Sequence, residues 1–86
     1  MQKATIYLPN SCLQIVESAG PEFTLKELQD MVGGYIEVLP GVDNSEGDYI
    51  VNEEGIRLQL ELNVRASKLV GRRVLGNMAH VEGGIK

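Results

Sequence analysis

The run Val32-Gly33-Gly34-Tyr35-Ile36-Glu37-Val38 constrains the fold most tightly, because an amphipathic helix must end there, turn on two glycines and continue as a strand. A helix commonly stops with glycine just past its cap, where the left-handed backbone carries no Cβ penalty. Gly33 supplies that stop, and Gly34 lets the chain swing into the strand. Upstream, Thr24 and Glu27 spell an S/T-x-x-E capping box, with Phe23 and Leu28 at the hydrophobic-staple positions. Leu25, Leu28, Met31 and Val32 then recur at three- and four-residue spacing. That spacing predicts a helix with Lys26, Glu27, Gln29 and Asp30 turned to water.

The remaining elements follow from periodicity and turn chemistry. Ala4 to Leu8 and Leu13 to Glu17 are predicted as a β-hairpin across Pro9-Asn10-Ser11. Tyr35 to Leu39 is a strand ended by Pro40-Gly41, and Asp48 to Val51 is the next, after a polar loop from Asp43 to Gly47. Asn52-Glu53-Glu54-Gly55 has the residues of a type I turn. From Ile56 to Leu62 apolar and polar residues alternate strictly, which predicts a strand with one buried face, or a shorter strand followed by a loop. Asn63 is a good N-cap for a second helix over 64–70, and Gly71 stops it. A last strand spans 74–81, leaving 82–86 as a loose tail. The expected fold is α+β, in the order ββ-α-βββ-α-β, a mostly antiparallel sheet with two short helices in a single domain over residues 1–86.

Composition narrows the function classes. A chain of 86 residues buries only about 60–65% of its unfolded surface, which makes self-association into a homo-oligomer an expectation. No apolar run reaches the roughly 18 residues of a membrane span, and the first residues do not read as a secretory signal, so a cytoplasmic protein of the host cell is expected. The net charge of −4 argues against generic nucleic-acid binding. Cys12 is alone and reads as a buried structural thiol, and with His80 it gives no zinc spacing. Asp43 to Glu54 has calcium-loop length but carries Asp48 where the sharp turn needs glycine, so no metal is expected. No phosphate-cradling G-x-x-x-x-G-K-[ST] run occurs, and no cofactor is implied.

Four segments in order carry a family likeness: Leu28 to Val38, Asn52-Glu53-Glu54-Gly55, Leu60 to Ala66, and Val74-Leu75-Gly76-Asn77. Together they resemble a family of small uncharacterised domains of bacteria, plasmids and phages, over roughly residues 24–82. The resemblance implies no assigned activity. It implies an accessory protein of a phage or mobile element, and such proteins often sequester a host signalling molecule or bind a host protein.

Charge supplies the candidate sites. Arg65, Lys68, Arg72 and Arg73 hold half of the eight basic side chains, and the first three would align at i, i+3 and i+7 if the helical path continued. They either complement the negative end of a short helix or hold an anion such as a nucleotide phosphate. Tyr35 and Tyr49 offer stacking surfaces for a base, although strand tyrosines more often pack at an edge or core. Asn52 and Asn63 are read as supports, since turn and cap duties explain them. Glu37 shares its strand face with Tyr35 and Leu39, so either that face is open or the carboxylate is held near a pocket.

The leading expectation is a non-enzymatic module binding a small anionic, nucleotide-like ligand through Arg65 with Arg72 or Arg73, covered by Tyr35 or Tyr49. The alternative is a protein–protein module acting on a host enzyme through an acidic surface over 43–54, with Glu53 and Glu54 as contacts and Asp43, Glu46 and Asp48 adding charge. An acid/base enzyme using Glu37 with Glu53 or Glu54 is third.

Overall fold

The computed structural model of the protein describes residues 1–40 and 47–85. Seven elements follow in order: β1 (Lys3–Tyr7), β2 (Leu13–Glu17), α1 (Leu25–Val32), β3 (Ile36–Val38), β4 (Gly47–Asn52), α2 (Val64–Val70) and β5 (Met78–Glu82). The strands form one five-stranded sheet in the order β2-β1-β5-β4-β3. Every neighbouring pair is antiparallel. The fold is α+β, and both helices occupy the expected residues.

The helix ends are built from the side chains that sequence chemistry named. The Thr24 hydroxyl accepts from Glu27 N–H at 3.1 Å, and the Glu27 carboxylate accepts from Thr24 N–H at 2.8 Å, closing the capping box. These backbone donors, Thr24 first and Ala19 second, hold the Glu27 carboxyl below its ordinary value. Gly33 closes α1 in the left-handed region at φ 79°. The last carbonyls of α1, which no helical N–H can reach, find side-chain donors instead. Asn77 donates to Met31 and Asn52 to Val32.

Alternation along the strands divides the core in two. On one face Ala4, Ile6, Ile50, Ala79 and Val81 pack against Leu28, Met31 and Val32 of α1. On the other, Val51 and Met78 pack against Leu39, Ala66 of α2 and Val74. The central strands are thus covered on both sides, whereas β2 at the sheet edge leaves Ile15 73% exposed.

Three expectations are corrected. The stretch 56–62 is not a strand but a series of tight turns, with one isolated bridge between Leu62 and Leu75. Leu58 N–H donates to Glu54, Gln59 N–H to Ile56 and Leu60 N–H to Gly55, so the backbone satisfies itself locally and needs no strand partner. The order is therefore ββ-α-ββ-α-β, with the last strand beginning at Met78. Cys12 is exposed, because it sits at the tip of the β1–β2 hairpin beyond the reach of either core. The tail does not hang loose over 82–85. Gln2 donates its side-chain amide to the Glu82 and Gly84 carbonyls, Ile85 N–H donates to the Asp48 carboxylate at 2.9 Å, and Ile85 packs on the first core. Asp43 and Glu46 lie outside the described residues.

Candidate functional site

The second core has an opening. Where β3 ends beside β4, the side chains of Leu39, Val51 and Val74 form the floor of a cavity of about 320 Å³, within the usual size range of small-ligand sites. Its polar lining comes from three separate segments: Glu37 from β3, Asn52 and Glu53 from the end of β4, and Arg72 and Arg73 from the chain after α2.

Each wall has a local cause. Glu37 lies on the same face of the sheet as Val51, its register partner on β4, and so reaches the cavity from an exposed position. Asn52 is buried, and both ends of its amide are occupied: it donates to Val32 and accepts from Glu54 N–H at 2.8 Å. It supports the site and shapes the turn that follows. Gly71 takes the left-handed conformation at φ 71°, ending α2 and turning the chain so that Arg72 and Arg73 leave the helical line. Arg72 then donates to the Pro40 carbonyl at 2.7 Å, which fixes it at the rim. The 72–75 wall is anchored beneath, where Val74 accepts from Asn63 N–H and donates to the Ser67 hydroxyl.

Among the described residues the salt bridges are Lys26–Asp30 and Arg57–Glu54, so neither Arg72 nor Arg73 is neutralised by a close carboxylate there. The cavity therefore joins an apolar floor to two guanidiniums and two carboxylates, which suits a ligand with an anionic group, a compact body and hydrogen-bond donors.

The structure gathers Glu37, Asn52, Glu53, Arg72 and Arg73 and disperses the rest. Arg65 is not part of this lining: it donates to the Ser11 carbonyl at 3.1 Å, near the hairpin tip. The expected line from Arg65 through Lys68 to Arg72 fails because Gly71 ends the helix first. Tyr49 is also elsewhere, its ring 4.6 Å from that of His80 on the neighbouring strand. Asn63 is fully buried and structural, donating to Tyr7 and Gly76.

Tyr35 and Glu54 line a second, more open groove of about 500 Å³ with Glu53, Ile56 and Arg57. Glu53 and Ile56 belong to both hollows. Alternation over 56–62 predicts Ile56 and Arg57 on opposite faces of a strand, whereas both line this groove. The signal that could have found Arg57 is its i, i+3 spacing from Glu54, which brings the two side chains together on helical turns.

A family model for a domain of unknown function, DUF3846, matches residues 2–84. The chain belongs to the DUF3846 family. The match covers the β1–β2 hairpin as well as the segments whose motifs suggested a family, and it takes in every residue of both hollows in this DUF3846 domain. No curated protein and no solved structure is significantly similar to it. No helix among the described residues is long and apolar enough to cross a membrane.

Proposed function

We propose that this DUF3846 domain is a non-enzymatic binding module that captures a small anionic ligand of nucleotide type, with Arg72 and Arg73 as the anion contacts. The observation that carries this reading is the pair of arginines, Arg72 and Arg73, that line an apolar-floored cavity. Guanidinium matches phosphate with paired donors, and the floor favours a compact organic body over a bare inorganic ion. Arg65, engaged at Ser11, gives up the leading role to Arg72 and Arg73.

Among the described residues the lining contains no His, Cys, Ser or Lys, which favours binding over nucleophilic chemistry. A docking surface for a basic host protein is less favoured, because Glu54 is already paired with Arg57 at 2.6 Å. A phage or mobile-element setting is part of the same proposal and rests on the motif likeness.

Titration calorimetry with AMP and GMP tests the reading. Removing one charge-assisted contact typically lowers affinity by roughly 10- to 100-fold. Arg72→Ala and Arg73→Ala are each expected to show a loss of that order, with Arg65→Ala unchanged. Unaltered affinity in both cavity variants, or no binding of either nucleotide to the parent protein, overturns it.

A further inference from the structure

We infer that the ligand is bipartite, with its anionic group in the Arg72–Arg73 cavity and a flat aromatic ring, such as a nucleobase, across the lip in the Tyr35 groove. This deepens the proposed function and rests on it. The two hollows share Glu53 and Ile56, so one molecule can occupy both without leaving the surface.

The groove carries what a planar ring requires. Tyr35 is 62% exposed and Ile56 79% exposed, an aromatic and an aliphatic surface flanking the same hollow. Glu54 accepts from Arg57 Nε at 2.7 Å and forms an ion pair with a terminal nitrogen at 2.6 Å. Both contacts go to the single oxygen Oε2, which tethers the guanidinium beside the groove, and guanidinium planes stack on bases as aromatic rings do. The pairing also spends the Arg57 charge on Glu54, so Arg57 offers a face more than a phosphate contact.

Glu53 stands at the shared lip and is a carboxylate acceptor for the exocyclic or ring N–H groups of a base. A phosphate in the groove would meet Glu53 and Glu54 with only the already paired Arg57 beside them, whereas in the cavity Arg72 and Arg73 offset Glu37 and Glu53. The arrangement thus gives the ligand a direction, with anion toward 72–73 and ring toward Tyr35. Tyr35 also has little structural duty at its side chain: its backbone carbonyl accepts from Glu53 N–H, a bond that survives substitution of the ring.

The experiment compares ribose 5-phosphate with AMP and GMP on the parent protein, Tyr35→Ala and Tyr35→Phe. The parent is expected to bind a nucleotide about tenfold or more tightly than ribose 5-phosphate, the usual scale of base–aromatic stacking. Tyr35→Ala should erase that difference while leaving ribose 5-phosphate affinity unchanged, and Tyr35→Phe should keep it. Equal affinity of the parent for ribose 5-phosphate and both nucleotides overturns the second subsite and leaves the anion cavity standing. An equal loss for all three probes in Tyr35→Ala overturns it too, since the residue then acts through the fold. If none of the probes binds the parent, the anion cavity itself has failed and this inference goes with it.

Discussion

Asn63→Ala is expected to lower folding stability by about 3–5 kcal/mol, combining the loss of a helix cap with buried groups left unpaired. The side-chain oxygen accepts from Ala66 N–H at the start of α2. The amide nitrogen donates to the Tyr7 carbonyl at 2.8 Å and the Gly76 carbonyl at 2.9 Å, tying the helix to the end of β1 and to the approach to β5. The residue is 0% exposed, so water cannot replace these bonds without opening the structure. For a small domain such a loss is a large share of the total. Asn63→Asp separates the contributions. It keeps the capping acceptor but sets a carboxylate against two carbonyl oxygens, so it should rescue little of the loss. Urea unfolding followed by circular dichroism measures both. A change in Asn63→Ala below about 1 kcal/mol would show that the cap and both tethers are dispensable.

Two isoleucines give the second large effect. Ile50→Ala should cost about 2–5 kcal/mol, the range for truncating a buried aliphatic side chain and leaving a cavity. Ile15→Ala should cost under about 1 kcal/mol. Ile50 is 0% exposed, at the centre of the core beneath α1, whereas Ile15 is 73% exposed on the edge strand. Both sit in strands and both look alike in hydropathy, so the contrast isolates burial. The same unfolding experiment decides it: comparable losses in the two variants would mean that β2 contributes a packed face of its own.

Most of the fold was legible because its signals are local. The capping box at Thr24 and Glu27, the Asn63 cap and the glycine stops each concern groups within a few residues, and all form as the chemistry requires. The 56–62 stretch was not legible, because alternation states only which side chains could share a face. Whether a neighbouring strand exists is decided elsewhere in the chain. Ile56, Leu58 and Leu62 are exposed at 79%, 44% and 46%, and Gln59 takes φ 53°, a conformation that breaks an extended run. The cavity was half legible for a related reason. Charge clustering marked Arg72 and Arg73 but could not show that Gly71 turns them away from Arg65. Nor could local patterns show that β3, the end of β4 and the 72–75 segment converge.

Ile50 and Val51 are adjacent in β4, yet Ile50 belongs to the core under α1 and Val51 to the core that floors the cavity. One peptide unit therefore links the two layers mechanically. The domain has no spare half: melting of either layer strips a wall from the other, so both should be lost in one cooperative transition. The consequence extends to any ligand bound as proposed. Free energy gained in the cavity is shared by the whole sheet, and a ligand held at about 100 times its Kd adds about 2.7 kcal/mol to the stability of the entire domain. If the proposed binding holds, a rise in melting temperature reports occupancy, and small-molecule extracts can be screened by that shift.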